Sequence, residues 1–264
     1  MRHLIHKNRP QQGFSLIELS IVLVIIGLLT GGILTGQSLI RASEVRSVAT
    51  EVAKYRTAVM SFRDQYKALP GDMKNATTFW GSMTNCGAAS PSGTGTQTCN
   101  GNNDRDIDAP AAAAQTGEMF GFWKHLANAD LIEGTYTGIA GPNGSAESIT
   151  GVNVPPSKLG ADSGYRVLNQ GNPTVNTTWL FAGNYGNAFM LGNRSGGDDA
   201  VLSAEEMWGI DTKLDDGYPA QGFIFSAHAT RRPGCATTDD PNTAKYDLTT
   251  GSQIRCTLFA KSGF

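Results

Sequence analysis

The chain has 264 residues, 40% hydrophobic and 17% charged, which is long and apolar enough to bury a core and excludes disorder by composition. Its formal net charge is -2 and no basic patch stands out, so no nucleic-acid partner is evident. The 32 glycines point to many turns.

A basic segment with Arg2, Lys7 and Arg9 and no acid comes first. An apolar run follows from Phe14 to about Thr35. As a helix with a rise of about 1.5 Å per residue it is roughly 33 Å long, enough to cross a hydrocarbon layer of about 30 Å. The preceding cations predict a cytoplasmic N-terminus and export of the remainder. A cleaved secretory signal fits poorly, because the run is too long, no A-x-A-like site follows, and the run contains Glu18. A charge at mid-membrane costs about 2.5–3.5 kcal/mol, less near the interface, so an acid kept there marks a function. A plain anchor explains everything except Glu18 and the dipeptide Gly13-Phe14.

Gly13-Phe14-Ser15-Leu16-Ile17-Glu18 resembles the signal of type IV pilins and type II secretion pseudopilins. The resemblance implies that a prepilin peptidase cuts between Gly13 and Phe14 and that Phe14 is then N-methylated. It implies a single-pass bacterial inner-membrane protein with a periplasmic head. Such a protein is drawn by an inner-membrane assembly platform into a filament of pilin or pseudopilin subunits. It also gives Glu18 a partner, the positive amine of Phe14 on a neighbouring subunit. Packed helices leave that carboxylate no water, and a buried charge needs a charged, hydrogen-bonded partner. Gly27, Gly31, Gly32 and Gly36 form two small-xxx-small pairs that allow close helix approach. Each also weakens the helix by about 1 kcal/mol relative to alanine. Many family members carry a proline near the position of Thr35; this chain has none there.

Beyond the run, Val45, Val48, Val52, Tyr55, Val59, Phe62, Tyr66 and Leu69 recur at steps of three and four. That spacing predicts an amphipathic helix packed on a sheet, ended by Pro70-Gly71. The expected organisation is a leader at 1–13, a transmembrane and assembly helix at 14–35, the amphipathic half of the same helix at 36–69, and a globular head at 70–264. The fold class is α+β: a pilin-like lollipop whose long N-terminal helix packs on an antiparallel sheet with disulfide-bearing loops. The segment Tyr66–Trp80 reads as a turn and a short helix with Trp80 covering the core, and it resembles the same family.

Residues 84–115 are small, polar and glycine-rich. In an exported chain the four cysteines suggest two disulfides. Three connectivities are possible; Cys86–Cys99 and Cys235–Cys256 are the pairs that close short loops. Neither pair has C-x-x-C spacing and the histidines are scattered, which argues against zinc. Asn100, Asn102, Asp104, Asp106 and Asp108 alternate as oxygen ligands do at the start of a calcium loop, but the glycine and final glutamate of an EF-hand are missing. Asp211, Asp215 and Asp216, with Asp198 and Asp199 nearby in sequence, form a second acidic group. Calcium stabilises loops in some pseudopilins, so the resemblance makes a calcium site there a candidate; otherwise no cofactor is expected.

A helix is expected from Glu118, with Met119, Trp123, Leu126 and Leu131 on one face and Gly134 as its C-cap. His125 within it reads as a surface or satisfied histidine. Strands are expected at Gly164–Leu168, Thr178–Ala182, Asn187–Leu191, Gly222–Ser226 and Ile254–Ala260. Ser203-Ala-Glu-Glu206 is a capping box opening a helix to about Leu214, with Met207, Ile210 and Leu214 inward. No G-x-S-x-G, H-E-x-x-H or phosphate-binding glycine loop appears, so a structural subunit is expected rather than an enzyme. The opposing reading is a membrane-anchored periplasmic enzyme or ligand-binding protein using a pilin-like signal. A pocket joining Asp211, Asp215, His125 or His228 would favour it.

Overall fold

The computed structural model describes residues 13, 15–160, 162–171, 180–193 and 199–264. The chain divides into two units, Met1–Ser43 and Glu44–Phe264. Helix α1, Leu16–Tyr66, begins in the first and ends in the second.

In the first unit the apolar side chains of α1 are exposed among the described residues: Leu16, Leu28 and Leu34 are 86%, 73% and 68% exposed. Among the described residues, α1 alone is long and apolar enough to cross a membrane. Its hydroxyls are satisfied inside the helix, as a lipid environment demands. Thr30 Oγ1 donates to the carbonyls of Ile26 (2.9 Å) and Gly27 (3.0 Å), and Thr35 Oγ1 to that of Gly31 (3.0 Å).

In the second unit, α1 is followed by α2 (Ala76–Trp80), α3 (Glu118–Asn128), β1 (Ser163–Asn169), β2 (Asn187–Asn193), β3 (Leu202–Ser203), α4 (Ala204–Leu214), β4 (Ile224–Ser226), β5 (Ile254–Cys256) and β6 (Leu258–Lys261). The main sheet is antiparallel with order β1-β2-β6-β4; β3 and β5 form a separate pair. The three-and-four spacing of α1 puts Val48, Val52, Tyr55, Val59 and Phe62 inside. They share one core with Met119, Trp123 and Leu126 of α3 and with Tyr165, Val167, Phe189 and Leu191 of the sheet. The Tyr55 ring sits 5.0 Å from that of Trp123 and 5.2 Å from that of Tyr165, both edge-on. Burying a side chain such as Phe62 contributes about 1.5–3 kcal/mol, so this stripe fastens the helix.

The sheet is buried on both faces. Strand side chains alternate, so Phe189 and Leu191 enter the α1 core while Ala188 and Met190 enter a second one. Phe225 and Phe259 stack there at 5.1 Å, with Leu180, Phe181, Tyr185 and Ala236. Loops rather than helices supply that cover.

Several local expectations need correction. Helix α3 ends at Asn128, six residues short of Gly134. Asp130 takes the left-handed conformation (φ 56), the Leu131 N–H reaches the Leu126 carbonyl at 3.0 Å and the Asp130 N–H that of Ala127 at 3.0 Å. That Schellman closure, with aspartate in the usual glycine place, stops the helix. Leu214 is 39% exposed; the inward position after Ile210 belongs to Asp211. The run Ile254–Ala260 splits at Thr257, because Cys256 pairs with Leu202 while Leu258 joins β2 and β4. Of the expected strand Thr178–Ala182, positions 178–179 lie outside the described residues and 180–182 form no strand. Strand β3 is two residues long, too short to carry a period.

Candidate functional site

Gly13 is exposed, and Phe14 lies outside the described residues. Glu18 opens α1: its Oε2 accepts the Ser15 N–H at 2.8 Å, while Ser15 Oγ accepts from the Ile17 N–H at 3.4 Å. In the uncut chain, then, the acid closes the helix start reciprocally, where the helix dipole also favours negative charge. A methyl added at Gly27, Gly31, Gly32 or Gly36 would meet no described atom within 4 Å. Among the described residues, then, nothing packs against these small-residue positions.

Both cysteine pairs are bonded, Cys86–Cys99 with Cα atoms 5.7 Å apart and Cys235–Cys256 at 5.1 Å. The first is at the surface and the second inside, with Cys235 and Cys256 fully buried.

The acidic loop around Asp104 is organised by two carboxylates that no sequence signal marked. Asp72 is buried, and its Oδ1 and Oδ2 accept the N–H groups of Asp104 (3.1 Å) and Arg105 (3.0 Å). Glu118 accepts those of Asn102 (2.9 Å) and Asp108 (3.1 Å). Burial raises both acids, Glu118 to about 7. Asp104 and Asp106 turn onto nearby groups: Asp104 Oδ1 accepts the Asp106 N–H at 2.9 Å, and Asp106 Oδ1 accepts from Asn169 at 2.6 Å. Asp72, Asp104 and Glu118 form one group with oxygens close enough to share a cation. Gly71 is required beside it, since at φ 85 a side chain would collide with the Glu118 carbonyl.

Asp211, Asp215 and Asp216 also converge. Asp211 Oδ2 accepts the Tyr246 hydroxyl at 2.7 Å and Oδ1 the Gly217 N–H at 3.0 Å. Burial, then the neighbouring acids, raises Asp211 to about 7 against the lowering effect of those hydrogen bonds. Asp215 Oδ2 accepts from Phe223 and, at 2.9 Å, from Ile224. Calcium asks for six to eight oxygens; here the carboxylates already hold the turn after α4. Asp198 lies outside the described residues, and Asp199 instead meets Arg232 at 3.1 Å.

Among the described residues, His125 and His228 bond to other groups than these acids. His125 Nδ1 accepts the Gly71 N–H at 2.9 Å and its Nε2 lies 2.9 Å from Thr98 Oγ1. His228 Nδ1 lies 3.2 Å from Asp239.

A long N-terminal apolar helix, an antiparallel sheet packed on its second half and two disulfides define an α+β protein of pilin-like arrangement. Residues 8–34 match the family described as the prokaryotic N-terminal methylation motif, the prepilin-type signal of type IV pilins and pseudopilins. That signal is the kind processed by prepilin peptidase, and with the apolar helix it agrees with membrane anchoring. Comparison with curated proteins and with solved structures finds no match.

Proposed function

We propose that this chain is a non-enzymatic filament subunit, a minor or specialised pilin or pseudopilin. It is inserted in a bacterial inner membrane with its N-terminus cytoplasmic and its head periplasmic. Prepilin peptidase cuts it between Gly13 and Phe14, and Phe14 becomes the N-methylated first residue. The assembly platform then moves it into a type IV pilus or a type II secretion pseudopilus. The observation that carries this reading is one helix bearing the methylation motif, an acid at its start and an exposed apolar surface.

The chemistry supports each step. Exposed leucines and isoleucines from 16 to 40 suit lipid before assembly and neighbouring helices after it. Glu18 exchanges its local Ser15 partner for the amine of a neighbour's Phe14, which sets the axial register of each incoming subunit. The small-residue positions Gly27, Gly31, Gly32 and Gly36 allow those helices to approach. The long loop at 84–115 favours a specialised subunit over a major one.

The test is mass spectrometry of the chain produced with active prepilin peptidase. The expected mature N-terminus is Phe14 carrying one added methyl group. Intact Met1 in such cells overturns the reading.

A further inference from the structure

The end of α1 opens on a groove of about 700 Å³, inside the range of about 300–1,000 Å³ typical of ligand clefts. Arg63 and Lys67 of α1 and Arg105 of the acidic loop line it, alongside Met60, Leu69 and Phe264. All three cations are exposed, and among the described residues none has a carboxylate partner. The Arg63 guanidinium donates to the sulfur of Met60 at 3.9 Å.

Two acids in the lining, Asp64 and Asp72, offset part of this charge and leave an excess of cations. Asp72 lines the groove too, but both its oxygens are taken by the backbone N–H groups of Asp104 and Arg105. Asp64 is the other acid in the lining. The dipole of α1 accounts for basic residues in its last turn, yet Arg105 arrives from a separate segment and needs another reason. Lys67 is placed at the groove by the end of α1, where it takes the left-handed conformation (φ 57) with its N–H on the Arg63 carbonyl at 2.9 Å.

We propose that this groove docks an acidic peptide segment of a partner protein, its carboxylates set between Arg63, Lys67 and Arg105 and an apolar side chain on Met60, Leu69 and Phe264. Arginine pairs with carboxylates in bidentate fashion, which gives such a site direction as well as charge. The apolar floor and the two acids of the lining disfavour a densely charged phosphate polymer. The proposal is independent of the reading of the N-terminal signal.

The test is fluorescence anisotropy with the full chain in detergent. The probe is a labelled peptide alternating acidic residues with leucine and phenylalanine. Saturable binding that weakens with salt is expected, and the Asn/Gln version of the peptide should not bind. Lys67→Glu with Arg105→Glu should lower affinity at least about tenfold, and the milder Arg105→Gln about threefold, with unchanged unfolding midpoints. Equal binding by the neutral peptide, or no loss in the variants, overturns the proposal. So does tighter binding of a single-stranded oligonucleotide of equal charge.

Discussion

The hydroxyl of Tyr165 on β1 donates to Oε2 of Glu51 on α1 at 2.8 Å, tying the sheet to the long helix at the edge of their shared core. Ser157 Oγ adds a bond to the same oxygen at 3.1 Å, and the Lys158 N–H one to Oε1 at 3.3 Å. Burial, then the charge of Glu51, holds the Tyr165 phenol well above its ordinary range, so it stays a donor at any working pH. Tyr165→Phe removes a hydrogen bond to a charged group and should cost about 2 kcal/mol. Glu51→Gln keeps one acceptor and should cost less. Urea unfolding of the detergent-solubilised chain, followed by tryptophan fluorescence, measures both.

Glu18→Val should leave membrane insertion intact, since it removes a charge from an apolar run, while blocking entry into filaments. The local bond to Ser15 is worth about 1 kcal/mol as a cap, too little to prevent insertion. Membrane fractionation and filament sedimentation separate the two effects. Normal incorporation of Glu18→Val would sink the assembly role.

The two disulfides should respond differently to reductant. Their sequence separations of 13 and 21 residues imply similar stabilisation, about 3 kcal/mol each by chain entropy. Access differs, because Cys86 is exposed while Cys235 and Cys256 are not. Thiol exchange requires attack on a sulfur, so graded dithiothreitol should open Cys86–Cys99 first. Differential alkylation with peptide mapping reads the order.

His125 sets an acid limit. Burial lowers it to about 3, and Nδ1 must stay unprotonated to accept from Gly71. The folded value lies below the unfolded value of about 6.5. Its stabilisation is therefore full above about pH 6.5 and is lost progressively as pH falls toward 3. His125→Gln should be the less stable protein at pH 7.5, with the gap closing below pH 6.5. Chemical denaturation of both across that interval checks it; a constant gap contradicts the assignment.

The turn after α4 should depend on Asp215 with or without calcium. Asp215→Ala strips the acceptor from the N–H groups of Phe223 and Ile224 and should cost about 1–3 kcal/mol. EDTA should leave the wild-type melting temperature unchanged. A rise of several degrees in millimolar calcium, lost in Asp216→Asn, would instead assign a cation to Asp211, Asp215 and Asp216.

Local chemistry was legible without a fold. The apolar run, the acid at Glu18, the spacing from Val48 to Phe62 and the capping box at Ser203 and Glu206 depend on neighbours a few residues apart. Those relations survive in one dimension, so the sequence alone determined the anchor helix, its amphipathic continuation and the N-terminal signal. What a carboxylate or a histidine does depends on burial, and burial depends on segments far along the chain. Only tertiary structure made Asp72 and Glu118 the holders of a loop, sealed His125 between Gly71 and Thr98, and brought Arg105 beside Arg63 and Lys67. Desolvation and long-range hydrogen bonding decided those roles, and neither has a period that a sequence displays.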